Sequence, residues 1–101
     1  MKDKLLQIIN NYGIINQLKY IHSEYFELDE VIMKAENFQP KSIVQLNTNI
    51  GSIVGHITEE IADVMVMLKQ FQYYYGIEDS EIEKIMEEKI NRQLRRIEEE
   101  K

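Results

Sequence analysis

One proline and four glycines in 101 residues leave this chain few places to stop a helix. In a helix interior proline costs about 3 kcal/mol and glycine about 1 kcal/mol, so these residues punctuate a helical chain. They group as Gly13, then Pro40, Gly51 and Gly55, then Gly76. The stops predict a short helix near residues 3–12, a long one near 14–37, a third near 52–75 and a fourth near 80–99. Ser80 followed by Glu83 has capping-box spacing, and Asp79 and Glu81 suit the positive end of that fourth helix. The segment from Phe38 to Gly55 carries one charge, Lys41, among Asn, Thr, Ser and Gly, and reads as a connector with at most a helical turn. Period-2 alternation of useful length is missing, so no sheet is expected. The expected fold is all-α, a bundle of about four helices in a single domain spanning 1–101.

Charge and composition narrow the partners. Twelve basic against eighteen acidic side chains give a net charge of −6, which disfavours nucleic acid and anionic membranes as partners. An apolar content of 44% is enough for a packed core. The absence of cysteine excludes disulfides, Cys-ligated zinc and a thiol nucleophile. The uncharged stretch from Asn49 to Thr58 is too short and polar to span a bilayer, and Met1 to Lys4 do not open an apolar leader. A soluble, cytoplasmic chain is expected.

At about 100° per residue, the second helix carries a main stripe of Ile14, Leu18, Ile21, Tyr25, Leu28, Ile32 and Ala35, with Ile15, Phe26 and Met33 elsewhere. The third carries Ile57, Ile61, Val64, Leu68, Phe71 and Tyr75, with Ala62, Val66 and Tyr73 nearly opposite. Helices apolar on more than one side ask for burial on more than one side. A homodimer or homotetramer is therefore expected.

Some carboxylates stand where apolar residues would be expected. Glu24 projects within the second helix's apolar sector, with Glu27 about 60° further round; Glu60 and Asp63 repeat the arrangement on the third helix. Spacing of i, i+3 puts both members of each pair on one face. If the stripes face each other, four carboxylates converge, and like charges at 4 Å repel by about 4 kcal/mol at intermediate dielectric. Protonation or a cation must resolve this. Oxygen-only ligands suit hard divalent ions, Mg²⁺ first and Mn²⁺ as a substitute. Glu30, Glu59 and Glu81 point away from the stripes and read as solvated. His22 and His56 do not follow a Glu at three residues, so the di-iron Glu-x-x-His pattern is absent. On the fourth helix, Lys89, Arg92 and Arg96 share a strip beside Ile82, Met86, Ile90 and Ile97, with Gln93 on its boundary. Such a strip suits phosphates, Arg as a bidentate donor and Lys as a point charge.

The order Glu24-Tyr-Phe-Glu27, then Glu59-Glu-Ile-Ala-Asp-Val64, then Tyr75-Gly-Ile77 and a basic final helix resembles the MazG-like nucleoside triphosphate pyrophosphohydrolases. These belong to the all-α NTP pyrophosphatase superfamily with the dimeric dUTPases. The similarity runs from Gln17 to Ile97 and is strongest from His56 to Leu68. It implies Mg²⁺-dependent cleavage of a nucleoside triphosphate between its α and β phosphates. The family's metal ligands fall on Glu24, Glu27, Glu60 and Asp63, and its closing basic pattern falls on Lys89, Arg92, Gln93 and Arg96. Two positions depart from the family: Ser23 stands where a Glu is usual, and Gln93 where an Asn is usual.

With Ser23 in that place, the water-activating role passes to Glu27 or Glu60. Gln17 and Tyr20, one to two turns earlier than the acids on the same helix, are the expected base contacts. Tyr73 to Tyr75 read as packing, since consecutive helical residues face different ways. A non-catalytic helical dimerisation module of the same fold is the alternative.

Overall fold

The computed structural model describes residues 1–39 and 41–101, with side chains for all of these but 44–48. It is an all-α helical bundle of four helices: α1 (Lys2–Tyr12), α2 (Ile14–Glu36), α3 (Ile43–Tyr74) and α4 (Asp79–Glu100), with no strand among the described residues. In α1, Leu5 and Ile9 lie one turn apart on a single face, and both are buried. Gly13 then joins α1 to α2 by itself. Its N–H donates to the Ile9 carbonyl at 2.8 Å, and its carbonyl accepts from the Gln17 N–H at 3.1 Å. The φ of 88° that this double role needs is one that glycine adopts at little cost.

Two expectations need correction. The segment read as a connector is mostly helix, because α3 begins at Ile43 rather than near residue 52. Asn, Ser and Thr cost well under 1 kcal/mol each in a helix, and Ser42 stands just before the first helical residue, where a start is favoured. Nor does the Ser80–Glu83 capping box form. Helix α4 starts one residue earlier, behind Glu78, without a side-chain cap, so Ser80 already lies inside it.

The end of α3 is a Schellman motif. The Ile77 N–H donates to the Gln72 carbonyl and the Gly76 N–H to the Tyr73 carbonyl, both at 3.0 Å, with Gly76 at φ 69°. Immediately after it, Asp79 accepts from Lys69 Nζ at 2.6 Å, Gln72 Nε2 at 2.8 Å and the Tyr73 hydroxyl at 2.9 Å. The first residue of α4 is thus bracketed to the last two turns of α3.

Helices α1, α2 and α3 pack together, α2 on α3 most extensively, whereas α4, beyond the Asp79 bonds to α3, packs against none of them among the described residues. Apart from half-buried Ile82, every residue of α4 is exposed. The radius of gyration is 17.9 Å, against about 13 Å for a compact chain of this size. The accessible surface is 8311 Å², where a compact 12.1 kDa monomer has roughly 6000 Å². Among the described residues the buried apolar side chains are few, Leu5, Ile9, Met67 and Tyr73, while Phe26, Met33, Leu68, Ile90 and Leu94 stand exposed. Among the described residues, no helix is long and apolar enough to cross a membrane.

Candidate metal centre

Helices α2 and α3 run antiparallel with a legible register. Gln17 meets Gln70, Glu24 meets Asp63, Glu27 meets Glu60, and Lys34 shares a cavity with Ile53 and His56. The periodicity that put each acid pair on one helix face therefore brings the two pairs face to face. One carboxylate oxygen from each of Glu24, Glu27, Glu60 and Asp63 lies within 4.8 Å of the others. Among the described residues this is the one group of acids and histidines so gathered, and His22 and His56 are not members.

Burial is unequal across the four. Glu24 is 7% exposed, Glu60 is half-buried, and Glu27 and Asp63 face solvent. Glu24 Oε2 and Glu60 Oε2 are buried without a hydrogen-bond donor. Burial pushes the Glu24 carboxyl above the ordinary range; a hydrogen bond from Tyr20 works against that, and the charges of Glu27 and Asp63 add to it. Glu60 is raised by burial first, then by the charges of Glu27, Asp63 and Glu24. The Tyr20 hydroxyl is raised in turn, chiefly by its hydrogen bond to Glu24. A buried acceptor without a donor is costly, and an unpaired buried charge more so.

These residues suit a hard dication. Four carboxylates offer oxygen ligands only, the donor set of Mg²⁺ and Mn²⁺ rather than of zinc or copper. The two orphaned oxygens lack the partner that such an ion would be.

Two cavities adjoin the acids, and they differ in character. One, of about 590 Å³, touches Glu24 and Asp63 and is lined by Tyr12, Asn16, Gln17, Tyr20 and Gln70. In its wall Gln17 Nε2 donates to Gln70 Oε1 at 2.8 Å, both residues being buried, and Gln70 Nε2 lies 3.7 Å from Met67 Sδ. The other, of about 420 Å³, touches Glu60 and is lined by Lys34, Asn49, Ser52 and His56.

Of the residues singled out in the sequence, the four acids, Gln17 and Tyr20 come together. Lys89, Arg92, Gln93 and Arg96 do not join them within one chain: all four are exposed on α4, which meets α3 only through its first residue, Asp79, among the described residues. Glu30, Glu59 and Glu81 are exposed, as the angular reading has it, and Ser23 is exposed too. Tyr73 is buried, while Tyr74 and Tyr75 make an edge-to-face pair at 5.1 Å. Sequence reasoning missed Gln70 and Lys34. Each lies seven residues after a cluster acid, Asp63 and Glu27 respectively, and so on the same helix face. Compared with known proteins, the chain matches no family model, no curated protein and no solved structure.

Proposed function

We propose that this chain is a Mg²⁺-dependent nucleoside triphosphate pyrophosphohydrolase of the MazG-like kind, converting a (d)NTP to the (d)NMP and pyrophosphate. The observation that carries this reading is the pair of buried, unpartnered oxygens, Glu24 Oε2 and Glu60 Oε2, inside a ring of four acids. Glu24, Glu27, Glu60 and Asp63 hold the ion, with Mn²⁺ as a substitute for Mg²⁺. When bound, it supplies charge neutralisation of phosphate oxygens and a water of lowered pKa.

The chain's own part is proton transfer and placement. Glu27 or Glu60 accepts the proton of the attacking water, oxygen bonds to the α phosphorus, and the α–β anhydride bond breaks with pyrophosphate leaving. Gln17 and Tyr20 face the nucleoside in the larger cavity, where an amide can pair with a base edge and a phenol ring can stack. Lys89, Arg92, Gln93 and Arg96 reach phosphates only from a second copy of the chain. A homodimer or homotetramer is supported by the surplus surface and by the exposed apolar residues of α4. The location proposed is the cytoplasm. The test is a panel of nucleoside triphosphates with Mg²⁺, scored for pyrophosphate release, with Glu60→Ala as control. Release that persists undiminished in Glu60→Ala overturns the mechanism.

A second reading is a non-catalytic helical dimerisation module of the same fold. It is favoured by Ser23 in place of an acid and by the same exposed apolar surface. A module without a site keeps its melting temperature when EDTA replaces millimolar Mg²⁺.

A further inference from the structure

The acid cluster lies between two largely apolar cavities that differ in their polar lining, and that asymmetry gives the site a direction. On the α1 side the polar lining groups are amides and phenols: Tyr12, Asn16, Gln17, Tyr20 and Gln70, with no cation. On the far side, toward the end of α2, the lining carries the Lys34 ammonium and the His56 imidazole with the Ser52 hydroxyl and the Asn49 amide. Lys34 makes no ion pair among the described residues, so its charge is available. The placement follows from the antiparallel register. His56 lies four residues before Glu60 and Lys34 seven after Glu27, so both sit on the acid-bearing faces, roughly 6 and 10 Å along the helix axes from the acids.

We propose that the cavity between Lys34 and His56 binds the terminal phosphates of the substrate within the same chain. This rests on the proposed reaction at the four acids, and it deepens that reading by assigning the two ends of the substrate. The nucleoside lies toward Gln17 and Gln70, and the departing pyrophosphate lies toward Lys34, His56, Ser52 and Asn49. An ammonium and imidazole, hydroxyl and amide N–H groups are donors to phosphate oxygens, and hydrogen bonds to an ionised acceptor are the stronger kind. The other cavity has no cationic lining group, and beyond Glu24 and Asp63 its amides and phenols suit an uncharged heterocycle.

The test uses inorganic tripolyphosphate, which has no base, and the chain of residues 1–101. Calorimetric titration first with Mg²⁺, then with tripolyphosphate in its presence, is made on wild type, Lys34→Met with His56→Gln, and Arg92→Ala. The double variant is expected to bind Mg²⁺ as wild type does and to bind tripolyphosphate at least about tenfold more weakly. Arg92→Ala is expected to bind Mg²⁺ normally and to lose less tripolyphosphate affinity than the double variant. Unchanged tripolyphosphate affinity in the double variant, with Mg²⁺ binding intact, overturns this assignment alone. So does a loss confined to Arg92→Ala, which would place the phosphates on α4. Failure of the wild type to bind Mg²⁺ overturns the assignment together with the reading it rests on.

Discussion

Two places in this molecule gather polar groups around carboxylates, and they solve the problem in opposite ways. At the α3–α4 corner, Asp79 receives three donors: Lys69, Gln72 and Tyr73. Its carboxyl is held down to about 2 by the Lys69 hydrogen bond first, then by those of Gln72 and Tyr73. Between α2 and α3 four carboxylates meet with no cation among them, two oxygens are orphaned, and Glu24 and Glu60 are raised rather than lowered. The same α3 helix carries both Lys69 and Glu60. The chain therefore satisfies a carboxylate fully where the purpose is to fix a corner. Between α2 and α3 it leaves two buried oxygens, Glu24 Oε2 and Glu60 Oε2, without a donor, and a bound cation is the partner proposed for them.

The sharpest way to break that contrast is to remove one acid. Glu60→Ala or Asp63→Ala should lower kcat by at least about a hundredfold, since even groups that merely orient a metal's ligands account for 10- to 100-fold. Near-normal turnover in steady-state assays with Mg²⁺ would make the cluster an accident of packing. Next in size is the ion itself. Mg²⁺ at a hundred times its Kd should stabilise the fold by about 2.7 kcal/mol. That corresponds to a rise of roughly 10–20 °C in the melting temperature of a chain this small. A melt in EDTA against one in Mg²⁺ checks it. Glu24→Gln with Glu60→Gln should raise the EDTA melting temperature, by relieving repulsion, and abolish the Mg²⁺ response.

The polar pair beside the cluster comes third. Gln70→Leu leaves the Gln17 amide, buried at 7% exposure, without the acceptor it now has at 2.8 Å. Stranding a buried donor costs about 1–3 kcal/mol, to be read by denaturant unfolding. Because Gln17 faces the larger cavity, the same change should alter KM among nucleotides more than it alters kcat. A KM pattern identical to wild type would leave Gln17 as packing.

The acid cluster was legible in the sequence for one reason. Carboxylates at i, i+3 beside Ile21, Leu28, Ile57 and Val64 lie on the sides of α2 and α3 that pack, although Leu18, Tyr25, Ile32, Ile61, Leu68 and Tyr75 of the same stripes stay exposed. Helices α1 and α2 were legible because Gly13 marks their junction to the residue. What local pattern could not supply was partnership over distance. Gln17 and Gln70 are 53 residues apart, and only the antiparallel register joins them. The start of α3 was missed because weak helix formers there were read as a connector, although each carries only a small penalty. The capping box failed for a related reason. Asp79, read as a favourable charge for the helix end, takes its partners from the end of α3, and the helix begins at Asp79 rather than after Ser80. The reach of Lys89, Arg92, Gln93 and Arg96 depends on where α4 lies, and its own sequence carries no record of that.

The smallest effect belongs to the satisfied corner, and its value lies in its sign. A carboxyl whose folded pKa lies at about 2, below its ordinary 3.8, contributes stability above pH 3.8 and loses it as pH falls toward 2. Raised carboxyls act the other way. Glu24 and Glu60 favour folding below their ordinary 4.5 and lose that contribution as pH rises through their elevated folded values. In EDTA, wild type should therefore grow more stable as pH falls from 7 toward 4.5, then lose stability below 3.8. Asp79→Asn should flatten only the acid limb and lower the melting temperature at pH 7 modestly, because Asp79 is exposed and its ion pair is screened. Glu24→Gln with Glu60→Gln should flatten only the limb above 4.5. Melts of both variants across pH 2–7 separate the two limbs. If Asp79→Asn also diminished the Mg²⁺ shift, the corner and the cluster would be one coupled unit, and the contrast between a fully bonded carboxylate and a cluster with two orphaned oxygens would fail.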